Sequence, residues 1–407
     1  MLINRNFSLL WAGQIVSQIG DKFYAIALAW WILEKTNSPS MMGTFLIAAV
    51  LPSLLFGPIA GGLIDRWNRK AILIVADLLR GAIVVAVTLL SWLGILEVWH
   101  VFAAAIGISL GTAFFDPTVK AVIPQLVEEE KLPHANALSQ LIVGITTIIG
   151  PVLGATFVAF FGFTLVFLIN SISYIISACF EGVMVIARTA GSARTSKVAS
   201  DIKEGLVFIK SNRQVSTVLV AIGIGHFFIG SLMVIMPFLA KQLSGSGVRN
   251  LGYLETMIGV GVFFASVLIK TRKKAILGER LLFSAMATVG LWLSLIGVVK
   301  LAGILWIVPF LAIAFLIGAS IAMAAVFWQS LLQVNVKNEM AGRVFSIAGT
   351  LGNASFPVAY GLFGVLLAYY PIPSVLLVSG ICLIAASTVL MWSFRKGTEF
   401  VAQPADT

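Results

Sequence analysis

The stretch GQIVSQIGDKFYAIALAWWIL, residues 13–33, is apolar enough to cross a bilayer, yet Asp21 and Lys22 stand side by side in its middle. A charge at the centre of a membrane helix is costly and rare, and it marks an ion or substrate path by default. Counted from Phe7, Asp21 lies about 21 Å along the helix at 1.5 Å per residue, close to the bilayer midplane. Gln14, Ser17, Gln18 and Asp21 recur at i, i+3, i+4 and i+7, so they form one polar stripe. Such a stripe must face protein or water, and the expected surface is a central cavity. Asp21 then reads as a titratable cavity carboxylate that exchanges a proton or attracts a cationic amphiphile. The competing reading is an ion pair with a basic residue on another helix. Lys22 points about 100° away from Asp21 and does not share its face. It reads equally as a cavity cation or a structural charge.

Four more groups have suitable chemistry. Glu181 lies about 10 Å from the inner surface, a second proton site or a structural partner for a basic residue. Glu255 is expected near an outer helix end, where it would sit at a cavity mouth. His226, in GIGHFFIG, carries an imidazole that ionises near neutrality and can act as a switch, although a lone histidine among glycines and aromatics is commonly structural. Asp77 and Arg80 stand at i, i+3, the spacing of a local ion pair. No Gly-Lys-Ser/Thr phosphate loop occurs, and three histidines and two cysteines are scattered. The expectation is a protein with no catalytic site, metal or cofactor.

The elements that position these groups follow from composition. The 407 residues are 59% hydrophobic and 11% charged, with mean hydropathy +1.02. Apolar runs of about 20 residues recur along the chain, each long enough to span a bilayer as a helix. Twelve spans are predicted near 7–34, 40–64, 71–94, 98–120, 138–161, 165–187, 214–240, 251–269, 280–299, 303–332, 344–369 and 373–394. The fold class is an all-α membrane protein, and the first span is expected to remain in place, since no small-residue cleavage site follows it. The net charge of +10 reads as orientation, not nucleic-acid binding. With the N-terminus inside, 21 Lys and Arg fall on inner segments and 4 on outer ones. Both termini are therefore expected in the cytoplasm of a cell that holds this chain in its plasma or inner membrane. The longest connector, 188–213, divides the chain into a six-helix bundle at 1–187 and another at 214–394, with a tail at 395–407. Its end, DIKEGLVFIKSN, reads as an amphipathic helix at the inner surface.

The loop after span 2, GGLIDRWNRKAIL, resembles the loop 2–3 signature of the major facilitator superfamily at Gly61, Asp65, Arg66, Arg69 and Lys70, with Asn68 in place of the usual second glycine. GPVLG in span 5, with Gly150, Pro151 and Gly154, resembles the core of a motif found in antiporters of that superfamily. GTAFFDPTVKAVIPQLVEEEKL and GRVFSIAGTLGNASFPV resemble the macrolide-efflux branch of its drug:proton antiporters. The resemblance implies two six-helix bundles, alternating access and export of an amphipathic compound, with protons and the bilayer as the other partners and a monomer as the working unit. It also implies that Asp65, Arg66 and Arg69 form a cytoplasmic gate, latching onto the N-terminus of span 11. Asp116 reads either as a local partner of Lys120 or as a member of that gate through Arg69. One departure bears on coupling. Related antiporters carry an arginine in span 4 before a glycine, whereas Ile106, Gly107 and Ile108 precede Gly111 here. The alternatives left open are a lipid, lysophospholipid or siderophore carrier without proton coupling, and a receptor that kept the fold and lost transport.

Overall fold

In the computed structural model the described residues are 3–64, 66–186, 198–271, 279–336 and 338–401. They form twelve α-helices and one 3-10 turn, with no strand among them. In a bilayer every backbone polar group needs an internal partner, and a helix meets that need within one segment. The helices are α1 (Arg5–Thr36), α2 (Pro39–Ile64), α3 (Arg69–Trp92), α4 (Val98–Leu126), α5 (Leu132–Val183) and α6 (Val198–Ser211). After them come α7 (Arg213–Lys241), α8 (Gly247–Thr271), α9 (Glu279–Leu301), α10 (Ile307–Asn335), α11 (Asn338–Tyr369) and α12 (Ile372–Val401).

Local chemistry sets the ends that matter for the site. Asn4 caps α1 by accepting from the Phe7 backbone N–H, and Asn37 closes it in the left-handed region at φ 46°. Asn68 caps α3 by accepting from the backbone N–H groups of Lys70 and Ala71. The 52-residue α5 is two spans: Gly162, at φ 79° and ψ 179°, reverses the chain between them, and its missing Cβ makes that geometry accessible. Spans 5 and 6 thus meet at one residue where separate helices were expected. Among the described residues, ten helices are long and apolar enough to cross a membrane. The polar stripe dilutes α1, which is not among the ten, and α5 supplies two crossings. The expected twelve-span all-α fold is therefore present. Val75, Leu78 and Leu79 on α3 and Phe263, Phe264 and Leu268 on α8 are exposed apolar side chains, as lipid-facing surfaces require.

The chain divides into two compact units, Met1–Ala193 with Ala240–Thr256, and Arg194–Leu239 with Met257–Thr407. In the first, α5 packs along α1 and α3, and α2 packs along α4. The end of α7 and the start of α8 belong to this unit. In the second, α9 packs between α10 and α12, and α6 lies on α11. Arg343 of α11 donates to Glu204 of α6 at 2.8 Å. The amphipathic segment is helical as its pattern predicts, with Leu206 and Val207 exposed and Ile209 buried.

Candidate functional site

Two polar stripes meet inside the first unit. One is the α1 stripe. The other runs down the second half of α5 as Asn170, Ser173, Tyr174, Ser177 and Glu181, again at helical spacing. Glycines on α1 let the stripes touch. A Cβ at Gly13 would lie 3.1 Å from the Ser177 hydroxyl, and one at Gly20 would lie 2.5 Å from Asn170 Oδ1. Gln14 and Ser17 are buried in this seam, Gln18 and Asp21 are half-buried, and Lys22 is exposed.

Asp21 accepts a hydrogen bond from the Tyr174 hydroxyl. On the other side of the Tyr174 ring lies Arg80 of α3, its guanidinium carbon 4.7 Å from the ring centroid and 4.1 Å from that of Phe115 on α4. A cation over two aromatic faces is held by their quadrupoles. Arg80 also donates to Asp77 one turn earlier. Arg80 is 3% exposed and Asp77 is wholly buried, so the local pair expected from i, i+3 spacing is an internal one. Glu181 is 1% exposed, and neither of its oxygens has a hydrogen-bond partner. Its electrostatic neighbours are Asp77 and Arg80. Asp116 on α4 feels Arg80 and Lys120. Four carboxylates, Asp21, Asp77, Asp116 and Glu181, therefore surround one guanidinium. Burial of charge in low dielectric is expensive unless it is paired, so this cluster is the least expected feature of the unit on energetic grounds.

A second constellation surrounds the GPVLG segment. A Cβ at Gly150 would meet the Lys22 side chain at 2.5 Å, and one at Gly154 would meet the Phe23 backbone at 2.9 Å. The Pro151 carbonyl lies 2.8 Å from where a Cβ on Gly252 of α8 would sit, and Thr256 donates to the Ile148 carbonyl at 3.0 Å. Glu255, half-buried on α8, has Lys22 as its electrostatic neighbour. Gly150, Pro151 and Gly154 thus let α5 lie against α1 and α8 with Lys22 and Glu255 beside them.

The remaining predicted residues lie elsewhere. His226 is in the second unit, where Nδ1 meets the Ile222 carbonyl at 2.8 Å and the ring stands edge-on to Phe356. It lines a cavity of about 100 Å³ with Trp328 and Met286. Arg69 donates to the Ala121 carbonyl at 3.1 Å, and Lys70 donates to the Gly182 carbonyl at 2.7 Å. These cations meet the carbonyl-bearing end of α4 and of α5, where a helix favours positive charge. Arg66 is exposed, and with Trp67 and Phe114 it lines an apolar groove of about 670 Å³. Gly61 has open space beside it. Asp65, the centre of the expected gate, lies outside the described residues.

Sequence reasoning missed Tyr174 and the α5 stripe. The signal was available, because residues 170, 173, 174, 177 and 181 repeat the spacing that singled out Asp21. Among the described residues no group of three or more His, Cys, Asp or Glu side chains has metal-binding geometry.

The transmembrane secretion effector family matches residues 2–404. Macrolide efflux protein A of Streptococcus pyogenes is 26% identical over 357 residues, covering 86% of this chain and 87% of that protein. Macrolide efflux protein A of Enterococcus faecalis is 24% identical over 324 residues, covering 78% and 98%. Among solved structures, a bacterial homologue of the iron transporter ferroportin in its inward-facing state superposes with TM-score 0.73 at 16% identity over 97% of this chain and 98% of that one. A POT family transporter in complex with 5-aminolevulinic acid gives TM-score 0.77 at 11% identity over 97% of each chain. At those identities the structures establish the fold alone.

Proposed function

This chain belongs to the transmembrane secretion effector family, and on that premise we propose that it is a plasma- or inner-membrane exporter of an amphipathic compound, driven by protons moving the other way. The observation that carries the reading is the Asp21–Tyr174 hydrogen bond beside the buried Asp77–Arg80 pair. A carboxylate held by one neutral donor, with a guanidinium across the ring, exchanges a proton at less cost than a carboxylate locked in a full ion pair. Relatives named for macrolide efflux support an amphipathic cargo with a large apolar body. Alternating access, cytoplasmic termini, a two-bundle division and a monomeric working unit complete the proposal. Basic residues concentrated in the expected inner segments favour that orientation.

The test is proton movement in proteoliposomes under an imposed pH gradient, with erythromycin and other amphiphiles as probes, comparing wild type with Asp21→Asn. Substrate-dependent proton movement that vanishes in Asp21→Asn is the expected result. Erythromycin transport without proton movement, equal in both proteins, overturns antiport and makes Asp21 structural. A lipid carrier would then be the better reading.

A further inference from the structure

Arg80 is the cation at the centre of the carboxylate cluster, and how the fold admits it is specific. Its aliphatic stem crosses from α3 to α4 at Gly111. A Cβ there would lie 2.9 Å from Arg80 Cγ and 3.3 Å from Cδ. No lysine or arginine occurs on α4 before Lys120. The missing Cβ at Gly111 makes a slot, and the guanidinium passing along it reaches the space between Phe115 and Tyr174. There it binds Asp77. It also lies over the ring of Tyr174, whose hydroxyl donates to Asp21. Its Nε has no hydrogen-bond partner, so the donor set is not exhausted by Asp77. Glu181 lies in its field from the second half of α5, and Asp116 from α4.

We propose that Arg80 is a positioning residue for coupling, a guanidinium shared between Asp77 and Asp21 that ties the charge on Asp21 to the state of the first unit. It rests on the antiport reading above and deepens it. In the structure the guanidinium is on Asp77, and this is the arrangement we assign to protonated Asp21. When Asp21 gives up its proton, the new carboxylate draws the guanidinium past the edge of Tyr174, and Asp77 keeps only part of its partner. The move needs no new atoms and no change of total charge beyond the one proton leaving Asp21. It strains the α3–α4 contact at Gly111, because the stem lies against that glycine. A purely structural Arg80–Asp77 pair would do none of this and would be indifferent to Asp21.

The experiment compares three proteins with wild type in proteoliposomes, reading the ratio of protons moved to erythromycin moved. Arg80→Gln with Asp77→Asn removes the pair while leaving no uncompensated charge between those two positions. Arg80→Lys keeps the charge but loses the planar fork and the stacking. Gly111→Ala keeps every charge and pushes the stem out of its slot, so it tests the geometry even where the double variant fails to fold by size-exclusion elution. The expected result is a ratio of protons to erythromycin reduced about tenfold or more in all three, the change that a 1.4 kcal/mol difference sets. A wild-type ratio in Gly111→Ala and Arg80→Lys overturns the inference and leaves antiport standing. No proton movement in wild type overturns antiport and, with it, the shared guanidinium.

Discussion

Gly20 gives the sharpest test of how the two stripes are held together. Replacing it with alanine puts a Cβ 2.5 Å from Asn170 Oδ1 and 3.0 Å from Ser173 Cβ. Ordinary van der Waals contact begins near 3.4 Å, so the side-chain oxygen is about an ångström too close. Ser173 cannot turn away cheaply, because its hydroxyl donates to the Asn170 carbonyl at 2.8 Å and its Cβ is fixed by the backbone. One helix must retreat. Overpacking of this kind costs roughly 1–3 kcal/mol. The comparison is Gly57→Ala in α2, where nothing lies within 4 Å of the new Cβ. That change should be neutral or gain about 0.5–1 kcal/mol from lower backbone entropy. Reversible unfolding by SDS in mixed micelles reads both numbers. Ser173→Gly should return part of the Gly20→Ala loss, with a coupling of about 0.5–3 kcal/mol between the sites. Equal stability of Gly20→Ala and Gly57→Ala would refute the seam and the Asp21–Tyr174 geometry built on it.

Tyr174→Phe removes the donor to Asp21 and leaves Arg80 its ring, so stability should fall by roughly 1–3 kcal/mol in the same SDS titration, with proton flux altered and the fold intact by size-exclusion elution. Gly162→Ala forces alanine to φ 79°, which costs on the order of 1–2 kcal/mol, and the SDS midpoint should drop while substrate selectivity is unchanged. Glu204→Gln breaks an exposed ion pair with Arg343, so its effect should stay below about 1 kcal/mol and shrink further at high salt.

The architecture was legible because lipid leaves little choice. Runs of about 20 apolar residues between basic loops specify spans, and each expected span has a helix here. The joints were less legible. A single glycine at 162 does the work expected of a loop, because its left-handed backbone reverses the chain without extra residues. The site was half legible. Asp21 announced itself as a charge in an apolar run, and its stripe gave the face. Gln14 and Ser17 are buried in the part of α1 where Gly13 and Gly20 bring α5 close. Asp77 and Arg80 were visible as a spacing, but the spacing says nothing of depth. Burial comes from α5 and from the Gly111 slot, which join residues about 30 and 100 positions away.

Energetics separates a coupling role for this cluster from a scaffolding one. A buried ion pair seldom stabilises more than apolar residues of the same volume, and an unpartnered buried carboxylate is a net cost. The first unit already has what a scaffold needs. Phe7, Leu10, Leu73, Val122 and Met184 form a tight apolar core at one end, and Ile32, Leu33, Met42 and Phe167 are fully buried elsewhere in the unit. Against that background Glu181, with two orphan oxygens, is a cost, and Arg80, passing Gly111 to reach Asp77, Phe115 and Tyr174, brings in a buried charge that apolar packing alone does not require. A buried guanidinium against the ring whose hydroxyl holds Asp21 is the arrangement that the proposed coupling role calls for. The same reasoning explains the glycines: Gly20 and Gly111 each give up helix propensity to bring polar groups together where any larger side chain would force the helices apart.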